Sequence, residues 1–240
     1  MKLSVIIPAF NEERLIGDTL RHITDALEVI KRRGWETQLI VCDNNSTDRT
    51  GEIARTAGAT VVFEPMNQIA RARNRGAEAA TGDWLLFVDA DSHPSGELFG
   101  DVLEQIVSGQ CLAGGATVKL DGELPTARRI SRLWNWISRC WRLMAGSFIF
   151  CEAAAFRAVG GFSNELFVAE ELDLSKKLKR LARKQRKRIV ILDKHPLVTS
   201  ARKMHLYSMR EHLGFMLRAV LVPGTMRKRE TCFPWYDGRR

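Results

Sequence analysis

A chain of 240 residues with 45% hydrophobic and 27% charged residues has ordinary globular composition and enough length for one α/β domain. Disorder along the whole chain, collagen-like repeats and small disulfide-framework folds are excluded. Lys and Arg number 37 against 28 for Asp and Glu, a net charge of +9, so the surface should attract anions such as nucleotides, nucleic acid or acidic lipid headgroups.

Near the N-terminus Leu3–Ile7 reads as a buried strand, because its apolar run is too short, and too soon followed by Glu12 and Glu13, for a secretory signal. A helical pattern over Glu13–Arg32 follows, then a strand at Gln38–Cys42, a helix at Asp48–Ala57, a strand at Thr60–Phe63, a helix at Ile69–Ala80 and a strand at Trp84–Val88. Strands alternating with helices predict βαβ units, since parallel neighbours need a crossover helix to return the chain. The expected fold is α/β, a single domain with a Rossmann-like, mostly parallel central sheet flanked by helices. No stretch approaches 18 uncharged apolar residues. The most apolar downstream piece, Leu213–Val222, is interrupted by Arg218 and closed by Pro223-Gly224, so no transmembrane helix is expected.

Ligands of open α/β sheets bind beyond the carboxyl ends of the strands, and those positions are polar here. The strand ends carry Pro8-Ala9-Phe10-Asn11-Glu12-Glu13, Asp43-Asn44-Asn45-Ser46-Thr47-Asp48 and Asp89-Ala90-Asp91-Ser92. Asn11, Ser46 and Asp48 serve equally well as helix caps and turn formers. Asp89 and Asp91 are different: two carboxylates at the end of the apolar run Trp84–Val88 repel one another unless a cation holds them. Hard divalent ions, Mn²⁺ or Mg²⁺, suit such oxygen donors and would neutralise a departing diphosphate.

Six stretches together resemble the inverting glycosyltransferases of family 2, which have the nucleotide-sugar fold called GT-A. They are Val5–Glu13, Val41–Asp48, Ala72-Arg73-Asn74-Arg75-Gly76, Gly82–Asp91, Val159-Gly160-Gly161-Phe162 and Glu170–Ser175, in the family's order over about three quarters of the chain. The resemblance implies a nucleotide-sugar-binding half over residues 1–92, an acceptor-side half with an acidic catalytic motif over 93–205, and a C-terminal helix and basic tail over 206–240. It implies that Ala9, Glu12 and Asp43 line the base and ribose pocket, with Pro8, Asn11, Asn44 and Ala90 also on the donor side. Arg71 or Arg73 would lie near the base or diphosphate, Asp89 would face the ribose and sugar, and Asp91 would be the principal metal ligand. Asn44 stands where many members carry a second Asp, and Asn67-Gln68-Ile69 lacks a Gly often found there.

An inverting transfer needs a carboxylate to take the acceptor's hydroxyl proton. The family places an acidic pair at a helix start, so the resemblance assigns Glu171 as base, with Glu170 and Asp173 as orienting groups; Glu171 replaces the usual Asp. Acidic residues in a first helical turn also suit the helix dipole without any catalytic role. Downstream, Arg202 suits a diphosphate through its guanidinium fork. His195 reads as an extra metal ligand or as a structural histidine.

Lys176–Arg188 holds nine basic residues in thirteen and no acid, either a solvated helix face or a surface for anionic lipid. Over Arg128–Met144, Ile130, Leu133, Trp134, Ile137, Trp141 and Met144 follow helical spacing with Arg129, Arg132, Arg139 and Arg142 between them. That pattern fits a core-facing helix beside an acceptor pocket or one lying in a bilayer interface. Nucleic acid is not favoured for the 176–188 run, which lacks interleaved aromatics, zinc-finger spacing and a recognisable RNA-binding signature. The five cysteines are scattered and odd in number, which points to reduced thiols in a cytoplasmic setting. The basic run and the Arg/Trp helix together suggest peripheral attachment at the inner face of the cell membrane. The expected function is metal-dependent inverting transfer from a nucleotide-diphosphate sugar, a UDP-sugar by family frequency, to an unidentified acceptor, lipid-linked or at a membrane surface. The alternative is a non-catalytic protein with a nucleotide pocket, acting as a basic membrane or nucleic-acid adaptor.

Overall fold

The computed structural model describes residues 1–121, 125–200, 225–227 and 229–232. Its elements are β1 (Lys2–Ala9), α1 (Ile16–Lys31), β2 (Glu36–Asp43), α2 (Thr50–Thr56), β3 (Thr60–Phe63), α3 (Ile69–Glu78), β4 (Trp84–Val88), β5 (Ser92–His93), α4 (Gly96–Val107), β6 (Cys111–Leu120), α5 (Pro125–Trp141), β7 (Phe148–Glu152), α6 (Ala153–Ala158), α7 (Glu170–Lys184) and β8 (Arg188–Thr199). The strands form one sheet in the order β3-β2-β1-β4-β7-β6-β8-β5. Six run one way, while β5 and β7 oppose them. The expected single α/β domain with a mostly parallel sheet is what the chain forms.

Both faces of the sheet are covered, and the strands show it by alternation. Leu3, Val5 and Ile7 of β1 pack with Ile16, Leu20, Ile23 and Ile30 of α1 and with Phe99 and Val102 of α4. Ile6, between them, faces Ala70 and Ala77 of α3, and Phe87 of β4 joins Phe156, Phe162, Leu174 and Leu178 on that side. The helix α1 starts at Ile16, three residues later than the sequence pattern suggests. The Glu12 carbonyl accepts from the Leu15 and Ile16 N–H groups, so a turn occupies those residues first.

Strands β2, β1 and β4 are neighbours and end together: Ala9 pairs with Asp43, and Ile6 with Phe87. The antiparallel β7 begins at the same rim, Phe148 opposite Val88. The loop from β1, the loop from β2, the Asp89–Asp91 turn and the segment leading into β7 therefore gather at one edge.

The five cysteines are free; Cys42, Cys111, Cys151 and Cys232 are buried and Cys140 is exposed. Burial pushes the Cys42 and Cys111 thiols up to about 12, so they are poor nucleophiles. Among the described residues no helix is long and apolar enough to cross a membrane. The Leu213–Val222 piece and nearly all of the C-terminal segment from 206 lie outside the described residues.

Candidate active site

The loops after β1 and β2 are stitched together. Asn11 adopts a positive φ of 52°, its N–H donates to Ser46 Oγ at 3.0 Å, and its Oδ1 accepts from the Thr47 N–H at 2.8 Å. The Glu12 N–H donates to Thr50 Oγ1 at 2.8 Å, and Asp48 accepts from the Glu13 and Thr50 N–H groups. Burial alone would raise the Asp48 carboxyl; hydrogen bonds from Thr50 and Glu13 hold it below its ordinary value. Asn11, Ser46 and Asp48 thus do the turn and capping work their residue types suggest.

Beneath this rim Asp43 Oδ1 accepts from the Ser46 N–H at 2.9 Å. Asn44 is buried; its amide nitrogen donates to the Glu64 and Met66 carbonyls, and its Oδ1 accepts from the Gln68 N–H at 3.0 Å. It fixes the floor between β2 and α3. Gln68 continues the tie, donating from Nε2 to the Asn164 and Leu166 carbonyls at 2.9 Å each. A cleft of about 310 Å³ lies here, lined by Asn45, Pro65, Met66, Asn67, Gln68 and Phe167. Arg71 sits beside it, its Nε donating to Gln68 Oε1 at 3.1 Å. A larger groove, about 990 Å³, runs between α5 and the far end of β6 and includes none of these residues.

Arg73 joins the two halves of the rim. Its side chain is 2% exposed, with Nη2 2.9 Å from Asp89 Oδ1 and Nη1 2.6 Å from Glu170 Oε1. The Nη2 also donates to the Gly146 carbonyl at 2.9 Å, and the Phe162 ring centroid lies 5.2 Å from the guanidinium carbon. Burial opposes the guanidinium charge, but Asp89, Glu170 and Glu171 together hold it. Asn74, next on α3, clasps the following turn: its Oδ1 accepts from the Phe162 N–H at 3.0 Å and its Nδ2 donates to the Phe162 carbonyl at 2.9 Å. The Ala72–Gly76 and Val159–Phe162 motifs are therefore two faces of one contact.

Glu170 and Glu171 open α7 after Ala169, which takes a left-handed φ of 65° and offers no capping side chain. A non-glycine residue in that region is strained, and such strain collects at functional sites. Burial raises both carboxyls above their ordinary value, with the charge of Glu171 adding to the rise at Glu170 and Arg73 opposing it at each. Raising a carboxylate toward neutrality is what a general base working near pH 7 requires. Asp173, by contrast, pairs with Lys177 at 2.8 Å.

Asp89 and Asp91 flank Ala90, whose carbonyl accepts from Thr19 Oγ1 of α1 at 2.8 Å; the Asp91 carbonyl accepts from the Ser200 N–H. Asp89, Glu170 and Glu171 set three carboxylates against one Arg73, and Asp91 adds another nearby in sequence. Glu170 is taken up by Arg73, so the residues whose chemistry suits a hard divalent cation are Asp91 and Asp89 through its second oxygen. Pro8 and Ala9 are buried at the end of β1. His195 Nδ1 lies 3.0 Å from Asp101 Oδ2 of α4, a structural partner. Arg202 lies outside the described residues.

The sequence profile described as Glycosyl transferase family 2 matches residues 4–158, from the first strand to the end of α6. The chain belongs to glycosyl transferase family 2. Among its relatives is a dolichol-phosphate mannosyltransferase of Pyrococcus furiosus, 30% identical over 132 residues, covering 52% of this chain and 35% of that protein. Solved glycosyltransferases share the fold. A mannosyltransferase from Pyrobaculum calidifontis, in complex with GDP-Man and Mn²⁺, superposes with a TM-score of 0.68 at 16% identity, covering 98% of this chain and 67% of that one. S. aureus TarS residues 1–349 with UDP-GlcNAc gives 0.63 at 21%, covering 98% and 69%. The chain spans between about a third and two thirds of the length of the first curated relatives it matches.

Sequence reading missed Gly146 and Ser147, whose carbonyls accept from Arg73 and from the Asp89 N–H. A Cβ at Gly146 would lie 3.2 Å from Arg73 Nη2 and 3.6 Å from Glu171 Cδ, so this family member brings bare backbone against its acidic cluster. One glycine in an unpatterned loop gives no sequence signal.

Proposed function

We propose that the chain is a metal-dependent inverting glycosyltransferase using a nucleoside-diphosphate sugar. The observation that supports it most is Arg73, which ties the Asp89 end of the donor turn to the Glu170 end of the acidic pair inside one buried cluster. In this reading Asp43, with Pro8, Ala9, Asn11 and Glu12 around it, receives the nucleoside, and Asn44 holds the floor. Arg71, beside the 310 Å³ cleft, is the arginine that reaches the base or diphosphate, because Arg73 is committed inside.

Asp91 and Asp89 would hold Mn²⁺ or Mg²⁺, which neutralises charge on the leaving diphosphate. Glu171 takes the proton from an acceptor hydroxyl as that oxygen bonds to the anomeric carbon. The bond from that carbon to the diphosphate oxygen breaks on the opposite face and leaves a nucleoside diphosphate. Glu170 keeps Glu171 and Arg73 in place. GDP-Man and UDP-GlcNAc, bound in the solved neighbours, and the dolichol phosphate in the name of the Pyrococcus furiosus relative set the first compounds to try.

Thermal unfolding with UDP-, GDP-, CDP- and dTDP-sugars, with and without Mn²⁺ or Mg²⁺, tests the reading. One donor should stabilise by about 2.7 kcal/mol at a hundredfold excess over Kd. The effect should need the metal and disappear in Asp91→Ala. If every donor leaves the unfolding temperature unchanged with metal present, the proposed donor site is wrong.

A further inference from the structure

We propose that Asp18, His22 and His93 form a second divalent-cation site, suited to zinc or a similar borderline ion and distinct from the Asp89–Asp91 pair. Among the described residues this is the one trio of His, Cys and carboxylate side chains whose ligand atoms all lie within 4.8 Å of one another. Asp18 and His22 stand four apart on α1, hence on one face of the helix, and His93 comes from β5, held antiparallel to β8 opposite Val198.

Asp18 Oδ2 lies 3.3 Å from His93 Nε2 and 3.9 Å from His22 Nε2, and the two imidazoles stack with centroids 4.6 Å apart. Bonds of about 2.0–2.1 Å to a tetrahedral zinc set its ligand atoms about 3.3 Å apart. The spacing is near what such an ion needs, but the stacked rings lie only 23° from parallel, so one imidazole must turn about its side-chain bonds before both ring nitrogens face the ion. His93 Nε2 is buried and makes no hydrogen bond: Asp18 is within ion-pair range but off the hydrogen-bond direction. A buried ring nitrogen without a hydrogen bond is a cost that a metal bond removes. The other oxygen of Asp18 pairs with the exposed Arg21, a neighbour that steadies the carboxylate from outside. Asp18 and His22 are partly exposed, which leaves an entry path.

Two nitrogens and one oxygen make a softer donor set than two carboxylates, so the two sites should differ in the ions they prefer. The site also has a structural consequence. The Thr19 hydroxyl, between Asp18 and His22, donates to the Ala90 carbonyl, and His93 follows Asp91 by two residues. A cation there would clasp α1 to the strand that leaves the Asp89–Asp91 turn.

Titration of the tag-free, metal-stripped chain with zinc sulfate, followed by calorimetry, tests it in a Cys140→Ser background that removes the exposed thiol. One zinc ion should bind, and cobalt substituted for it should show the visible absorption of a four-coordinate site. His22→Gln and His93→Gln should each weaken binding by about tenfold or more. Asp91→Ala and His195→Ala should leave it intact. No zinc bound, or binding indifferent to both histidine changes, would overturn the site; loss in Asp91→Ala alone would show the ion to be at the other pair.

Discussion

Arg73 keeps its charge while almost wholly out of water, and only its carboxylate partners make that tolerable. Arg73→Met removes the cation and leaves Asp89, Glu170 and Glu171 close together with no positive charge between them, Glu170 being buried. Breaking a buried ion pair from one side costs about 3–5 kcal/mol, so urea unfolding should show a loss of that order. Glu171 makes the complementary prediction. Burial raises its carboxyl, so the proton stays on to a higher pH than on an ordinary glutamate. A base works only once deprotonated, so transfer should climb with pH through that raised value, its acid limb displaced above the usual carboxylate range of about 4.3. Glu171→Gln should cost about 10²–10⁴ in kcat and erase that limb. An acid limb unchanged in the glutamine variant would assign it to another group.

At the scale of elements, α3 lies so close to β1 that Gly76 is the spacer: a Cβ there would come 2.4 Å from Ile6 Cγ2. Gly76→Ala should destabilise by about 1–3 kcal/mol through overpacking, and Ile6→Ala in the same chain should return part of it, a coupling that a double-mutant cycle measures. The glycine of Ala72–Gly76 was visible in the sequence, and so were the first four strands, because short apolar runs and strand-end carboxylates are local signals; β5 to β8, half of the sheet, were not assigned. The meeting of Arg73 with Asp89, 16 residues away, and with Glu170, 97 away, was not. Nothing local distinguishes an arginine that reaches a ligand from one that binds the protein's own acids. The helix α5 shows a second limit. Its period was legible, but which face turns inward depends on the partner. Ser131 and Ser138 are buried, and Asn135 exchanges hydrogen bonds at 2.9 Å with the N–H and carbonyl of Val118 in β6, while Leu133, Trp136 and Trp141 are each 58% exposed. The core-facing reading therefore fails for Leu133 and Trp141, though Met144, just past the helix, is fully buried.

Across the whole molecule, α5 and α7 share one side. Lys179 of α7 hydrogen-bonds the Trp141 carbonyl, and a cleft of about 320 Å³ between them is lined by Cys140, Trp141, Arg142, Lys179, Arg183 and Lys187, among others. Exposed Trp141, its ring centroid 6.2 Å from that of exposed Trp136, thus shares a cleft with Arg142, Lys179, Arg183 and Lys187, and α7 carries further exposed cations at Lys176, Arg180 and Lys184. Aromatic rings beside cations match the interfacial zone of an anionic bilayer, where each Lys or Arg near the surface contributes about 1 kcal/mol and the rings enter the headgroup boundary. The chain should therefore float with vesicles containing phosphatidylserine and not with neutral phosphatidylcholine. Raising salt from about 0.1 to 1 M shortens the screening length from about 10 to 3 Å and should release most of it. Replacing Trp136 and Trp141 by Ala should weaken binding even at low salt, because the apolar part is not screened. Reversing Arg180 and Arg183 to Glu should act mainly at low salt. If both variants float like the parent, or if flotation ignores lipid charge, this face does not meet a membrane.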